Sequence, residues 1–154
     1  MNIDKDHFAA NRGRINIALS QFTIPLFLRT YKFFEGDFAA VIVLGEIAHR
    51  NIEQWLANGV NQEADLDDPA VRARAYRPCN ALSIAETCGI PRETVRRKVH
   101  ELIARGWVQR DEKGHLYLVR GMSADFDDLT LESLRAFLDT ADTLRALLAR
   151  GQER

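Results

Sequence analysis

The residues best suited to chemistry lie close together, between positions 92 and 98. Six residues of that stretch fall outside its apolar spacing, namely Arg92, Glu93, Thr94, Arg96, Arg97 and Lys98. Four of these six are basic. Arginine can bond bidentately to guanine O6 and N7, glutamate can accept a hydrogen bond from cytosine N4, and threonine can bond a phosphate. This composition fits recognition of duplex DNA. The competing interpretation is a solvated helix face.

The charge of the whole chain does not by itself suggest a polyanion partner. Its 154 residues carry a formal net charge of −1. Counted by segment, residues 1–70 hold 6 basic and 10 acidic side chains, residues 71–120 hold 11 and 5, and residues 121–154 hold 4 and 7. The balance of +6 in the central segment coincides with the basic stretch, and such asymmetry allows a polyanion partner.

The elements around this stretch can be predicted from local patterns. Ser83 can cap a short helix over 84–88, which Gly89 and Pro91 end with a turn. A longer helix over about 92–105 buries one face at i, i+4, i+7 and i+8. That face consists of Val95, Val99, Leu102 and Ile103. Gly106 then precedes two short strands within 107–119, joined by a turn at 111–114.

This order of elements is that of a winged helix–turn–helix. The segment from 82 to 119 reads LSIAETCGIPRETVRRKVHELIARGWVQRDEKGHLYLV. It resembles bacterial winged-helix transcription regulators, and most closely the DNA-binding domain of the cyclic AMP receptor protein family. The 81 residues upstream are predicted to be helical rather than a cyclic-nucleotide barrel. The ligand of that family is therefore not carried over, and a small-molecule effector stays undetermined.

The resemblance implies a role for each exposed polar residue. Arg92, Glu93 and Arg97 would read bases in the major groove, as the first turns of a recognition helix do. The remaining candidates would contact the DNA backbone, three of them from the wing. These are Ser83, Thr94, Arg96, Lys98, Arg110, Lys113 and His115.

The flanking segments are predicted to add helices. One over 15–34 should be kinked or split by Pro25, after a loose segment over 1–13. A second should begin after Asp37 and run to about residue 56, while 59–79 carries no clear pattern. Its predicted apolar stripe is Phe38, Val41, Ile42, Ala48, Ile52 and Trp55.

A last helix should begin at a Thr130 cap and end at Gly151. Its apolar stripe would form a dimer interface, because helix–turn–helix proteins commonly bind DNA as two-fold dimers. The competing interpretation is that this helix packs on its own domain. The candidate dimer residues are Leu134, Phe137, Leu138, Ala141, Leu144 and Leu148.

The expected fold class is therefore mostly α with a small β-wing, a winged helix–turn–helix with additional N- and C-terminal helices. Residues 1–36 would form an N-terminal extension, 37–121 the DNA-binding domain, and 122–154 the C-terminal helix. The expected partners are double-stranded DNA and a second copy of the chain. Two alternatives stay open: a winged helix that contacts protein, and a DNA-binding factor of replication or plasmid maintenance.

Other functional classes find little support in the sequence. There is no glycine-rich phosphate loop, Gly-x-Ser-x-Gly or His-Glu-x-x-His, so no enzyme activity and no cofactor is expected. Glu46, His49 and Glu53 share one helix face, but a solvated face is the simpler interpretation and no metal is expected. Cys79 and Cys88 lack metal-ligand spacing, and a redox role for them is open. The longest uncharged run is too short and polar to span a membrane, which predicts a cytoplasmic protein.

Overall fold

The computed structural model describes residues 3–57 and 77–149 of the chain. It confirms a mostly helical protein with a small two-stranded antiparallel sheet and additional helices. The elements in chain order are α1 (Lys5–Phe33), α2 (Phe38–Ala57), α3 (Ala81–Cys88), α4 (Arg92–Ala104), β1 (Val108–Arg110), β2 (Leu116–Leu118), a 3-10 helix (Met122–Phe126) and α5 (Asp127–Ala149). The segment over 59–79, which carries no clear pattern in the sequence, lies outside the described residues except for 77–79.

The chain forms two compact units. One joins residues up to Glu35 with those from Asp125 onward, and the other comprises Gly36–Ala124. The first unit therefore combines the two predicted terminal extensions. The second unit contains helices α2, α3 and α4 and the strands β1 and β2.

The first helix is longer than its apolar pattern predicted. The carboxylate of Asp4 accepts a hydrogen bond from the backbone N–H of His7 at 2.7 Å, so this N-cap starts the helix within the segment expected to be loose. Pro25 lies inside this continuous helix, so of the two predicted outcomes, a kink or a split, the split was wrong. Phe22 and Arg29, on either side of the proline, both contact α5.

Helices α1 and α5, which are not consecutive in the chain, pack side by side as an antiparallel pair, called the α1–α5 hairpin below. The His7 ring lies 2.7 Å from the carbonyl of Leu147, near the start of α1 and the end of α5. At the opposite end the rings of Phe33 and Phe126 pack at 4.9 Å between centroids. The helix begins at Asp127 after the 3-10 turn, so Thr130 lies inside it and the predicted cap was wrong. The expected end at Gly151 lies outside the described residues.

The second unit is built around the inner face of α2. Asp37 caps this helix as predicted, since its carboxylate accepts a hydrogen bond from the N–H of Ala40 at 3.0 Å. The predicted stripe was displaced, however: Phe38 and Ile42 are exposed. The buried face comprises Ala40, Val43, Leu44, Ile47 and Asn51. Apolar residues surround most of α2, so periodicity alone could not select the face that meets α4 and β2.

Helix α3 begins three residues earlier than predicted. Its N-cap is Asn80, whose side chain accepts a hydrogen bond from the N–H of Ser83, while the Ser83 hydroxyl receives one from the N–H of Asn80. This reciprocal pair puts Ser83 at the third helical position rather than at the cap. Gly89 then ends the helix with a φ of 68°, a left-handed conformation that glycine adopts without strain.

The strands form the predicted hairpin. Gln109 pairs with Tyr117 and Val108 with Leu118, in antiparallel register. Gly114, with a φ of 83°, closes the turn by donating its N–H to the carbonyl of Asp111 at 3.0 Å. Cys79 extends the ladder through a bridge to Leu116. The wing is thus anchored at both edges of β2.

Candidate nucleic-acid interface

Helix α4 has one buried face and one exposed face in its first two turns. Val95, Val99 and Leu102 are buried, as the spacing predicted. Arg92, Glu93, Arg96 and Arg97 are exposed. The alternation of these residues at 3.6 per turn separates the core contacts from a polar row along the outer side.

The exposed row differs in how its members are engaged. Glu93 and Arg96 form an ion pair across one turn, with 2.7 Å between carboxylate and guanidinium. Among the described residues, Arg92 and Arg97 have no ion-pair or side-chain hydrogen-bond partner. An exposed ion pair contributes little to stability, so Glu93 and Arg96 can exchange their mutual contact for a ligand at small cost. The row therefore offers guanidinium donors and one carboxylate acceptor to a partner.

Lys98 occupies a different environment from the rest of the row. Its side chain is only 10 % exposed, and its ammonium contacts the carboxylates of Asp37 at 2.5 Å and Glu101 at 2.7 Å. These hydrogen bonds raise the Lys98 pKa, against a smaller opposing effect of burial. The phosphate contact predicted for Lys98 would require its ammonium to leave two carboxylates of its own chain.

Asp37 joins the start of α2 to the recognition helix. Burial acts to raise the pKa of its carboxyl, but the hydrogen bonds from Lys98 and the Ala40 N–H, with the charges of Lys98 and Arg97, lower it overall. The carboxylate is therefore kept ionised and binds the middle of α4. The sequence showed Asp37 only as a helix cap.

The start of α3 is held by its own contacts and by α2. The Ser83 hydroxyl donates to the carbonyl of Asn80 at 3.0 Å. The Arg50 guanidinium donates to the Ser83 carbonyl at 3.3 Å and to the Thr87 hydroxyl, and it lies 3.5 Å from Glu46. Ser83 is half-buried, so a phosphate contact by its hydroxyl would have to share an oxygen already used in capping.

Within the described parts of the chain, the wing carries two cations without a side-chain partner and one engaged histidine. Arg110 and Lys113 are exposed. The His115 ring lies 3.1 Å from the carboxylate of Asp111, which also accepts from the His115 N–H at 2.8 Å. Burial acts to raise the Asp111 pKa, but these hydrogen bonds lower it overall. Asp111 thus orders the turn and holds the His115 ring.

Asn51 is a positioning residue that the sequence analysis missed. It is fully buried, and its amide oxygen accepts the backbone N–H of Leu118 at 2.9 Å. Its amide nitrogen donates to the carbonyls of Leu116 at 3.3 Å and Arg77 at 3.4 Å. One side chain therefore fixes β2 against α2, and with it the wing relative to α4. Its position four residues after the buried Ile47 is the only sequence feature that could have pointed to it.

The two cysteines do not form a disulfide. Cys79 is buried, and burial raises the pKa of its thiol to about 11. A thiol in this state is a poor nucleophile. Cys88 is half-buried, and the described residues contain no group of histidine, cysteine and carboxylate side chains that could hold a metal.

The predicted dimer stripe of α5 divides between two environments. Phe137 is half exposed, yet its ring packs edge-on against Phe22 with 5.7 Å between centroids. Leu134 and Leu138 are also about half exposed. The other three members are partly covered within the hairpin, namely Ala141, Leu144 and Leu148. Part of the stripe thus serves the contact with α1.

None of the helices described by the model is long and apolar enough to cross a lipid bilayer.

Comparison with known proteins bears on the central region. Residues 73–112 match the model of the IclR helix-turn-helix domain, a range that holds α3, α4 and β1. Searches of curated proteins and of solved structures found no match to the chain. The more specific resemblance to the cyclic AMP receptor protein family is not confirmed. The match covers about a quarter of the chain and supports a DNA-binding, winged helix–turn–helix transcription regulator of bacterial type.

Proposed function

We propose that this protein is a sequence-specific transcription regulator that binds double-stranded DNA as a homodimer, with α4 in the major groove and the β1–β2 wing on the backbone. The observation that carries this proposal is the outer row of α4, where Arg92 and Arg97 are exposed and uncommitted within the described residues. The similarity of residues 73–112 to the IclR helix-turn-helix domain supports the same assignment.

Each side chain receives a role from its surroundings. Arg92, Glu93 and Arg97 read base edges, since they lie on the first two turns of the helix that enters the groove. The backbone contacts come from α3, α4 and the wing, and they are Ser83, Thr94, Arg96, Arg110, Lys113 and His115. Lys98 does not contact DNA in this proposal, because its ammonium holds α4 to α2.

The homodimer follows from the geometry of DNA recognition. A single recognition helix covers only a few base pairs, and a two-fold pair of them reads half-sites one helical turn apart. The exposed leucines of α5 supply apolar surface for such a contact.

Selection of bound duplexes from a random pool tests the proposal most directly. We expect an enriched sequence with two-fold symmetry. Binding should weaken steeply with salt, because each neutralised phosphate adds about 0.9 to the slope of log affinity against log salt. Arg92→Ala, on α4, should weaken binding. Its matched control is Arg135→Ala, which removes an exposed arginine on α5.

Three outcomes separate the alternatives. No enrichment and no salt-dependent binding would contradict the proposal and favour a winged helix that contacts protein. Binding to repeated sites near an origin of replication would favour the replication or plasmid-maintenance factor. Equal loss of affinity in Arg92→Ala and Arg135→Ala would remove α4 from the DNA interface.

A further inference from the structure

The hairpin of α1 and α5 exposes most of the apolar surface described in this protein. Twelve of the fifteen exposed large apolar side chains in the described residues belong to this unit. Of the residues of this unit whose burial is described, only Ile15, Ala18 and Phe34 are buried and apolar. Two helices have a single mutual contact face and cannot cover apolar residues elsewhere on their circumference. The concentration of exposed apolar side chains in one unit favours an interaction site there.

One side of the hairpin carries apolar residues of both helices. Helical spacing puts Leu19 and Leu26, seven residues apart, on the same side of α1, and Leu134, Phe137 and Ala141 on the side of α5 next to it. Leu19 is 42 % exposed and Leu134 is 49 % exposed. The ion pair of Arg29 with Glu132 lies on the other side of the contact between the helices. We call the apolar side the hairpin face.

The charges of the two helices favour a second copy as the occupant of this face. Helix α1 carries five basic side chains and one acidic side chain, a balance of +4, and α5 carries two basic and five acidic, a balance of −3. A two-fold axis parallel to the helices puts α1 of each copy against α5 of the other. Basic and acidic helices then alternate around a four-helix bundle. The opposite net charges of the two helices thus favour this pairing over contacts between like helices.

A competing apolar row on α1 would not bring helices of opposite net charge together. Ile17, Ile24 and Leu28 are exposed at helical spacing on the side of α1 that points away from α5. A two-fold contact through this row would put two basic helices together. It would also be one helix wide, whereas the hairpin face spans two.

The size of the hairpin face matches that of a stable interface. Helix α5 has 23 residues, and at about 1.5 Å per residue it is roughly 34 Å long. Two helices side by side at a spacing of about 9 Å present on the order of 600–700 Å² over that length. Stable protein interfaces bury about 800 Å² per partner.

We propose that the hairpin face is the self-association surface, and that two copies form a four-helix bundle with α1 of each copy beside α5 of its partner. This inference deepens the homodimer of the proposed function and rests on it. It replaces part of the α5 stripe by a surface to which α1 contributes Leu19 and Leu26.

Sedimentation equilibrium of the full chain without DNA tests the proposal. We expect a dimer for the unaltered protein, and a shift towards the 17.5 kDa monomer in Leu19→Glu and in Leu134→Glu. Ile24→Glu is the matched control, because Ile24 is 53 % exposed on the same helix but lies in the competing row. This control should stay dimeric. Helix content by circular dichroism should be unchanged in all three variants, because the replaced side chains are already exposed.

The outcomes distinguish this surface from the proposed function. If the unaltered protein is monomeric at tens of micromolar, or if Ile24→Glu dissociates it while Leu134→Glu does not, the proposed face is overturned. If Leu134→Glu loses helix content, the uncharged variant Leu134→Gln takes its place, and this variant must also weaken the dimer. Salt-dependent binding of a monomeric variant to a half-site would leave the DNA-binding proposal intact. Its absence in the unaltered dimer would contradict DNA binding while leaving the bundle intact.

Discussion

The Lys98 ammonium and the Asp37 carboxylate, 2.5 Å apart, join the middle of α4 to the N-cap of α2. Lys98 is one residue after Arg97, the central base-reading candidate. The same short segment therefore presents one cation to solvent and uses the next to hold its own helix in place.

Replacing Lys98 by methionine should lower the free energy of unfolding by about 1–3 kcal/mol, because the carboxylates of Asp37 and Glu101 lose the charged partner that the largely buried Lys98 supplies. Urea denaturation measures this difference, and Lys113→Met on the exposed wing is the control. Equal stability of the two variants would show that the pair is not structural.

The pH dependence of the same variant has a definite sign. The Asp37 pKa lies below its ordinary 3.8 in the folded protein, so its contribution is present above that value and is lost as pH falls through the folded pKa. The Lys98 pKa lies above its ordinary 10.5, so its contribution is present below that value and is lost as pH rises through the folded pKa. The stability difference between the unaltered protein and Lys98→Met should be constant from about pH 5 to pH 9 and shrink in acid. A difference that grows in acid would contradict the ion pair.

Asn51→Leu should destabilise the protein by about 2–3 kcal/mol, because the Leu118 N–H and the Leu116 carbonyl lose a buried partner. Hydrogen exchange of the Leu118 amide should accelerate along with the loss in stability. Asn16→Leu, on the exposed side of α1, should change stability by less than about 0.5 kcal/mol. Unchanged protection of Leu118 would mean that Asn51 does not anchor the wing.

Arg97→Ala should cost about 1–3 kcal/mol of specific binding and relax the preference at one base pair. Lys113→Ala should weaken binding uniformly across sequences and reduce the salt slope by about 1. Competition binding with single-base variants of the selected site measures both effects. The assignment of Arg97 as a base reader would not survive an unchanged sequence preference.

The two thiols should differ in reactivity. In the folded protein at pH 8, a thiol whose pKa is about 11 is almost wholly protonated, so Cys79 should react with a disulfide reagent only on unfolding. Cys88 is partly exposed and should react first. Accordingly, Cys88→Ser should remove the fast phase and Cys79→Ser should leave it. A fast phase that persists in Cys88→Ser would contradict the burial of Cys79.

Local features of the central unit could be predicted from sequence because their causes are local. Gly89 ends α3 by adopting a left-handed conformation, and the spacing of Val95 and Val99 sets the buried face of α4. The β1–β2 hairpin likewise follows from two short apolar runs around a turn with Gly114. Each of these depends on residues within a few positions of one another.

The tertiary structure decided what depends on distant partners. Whether Lys98 contacts DNA or α2 depends on Asp37, which lies 61 positions earlier, and the role of Asn51 depends on a strand 67 positions later. The face of α2 that is buried, and the continuation of α1 through Pro25, were likewise settled by packing. The sequence by itself therefore determined the recognition helix and its row of charges, because helical periodicity acts over a few residues. Only the tertiary structure showed which of those charges are free, because an ion pair or a buried amide needs a partner that the chain brings back from far away.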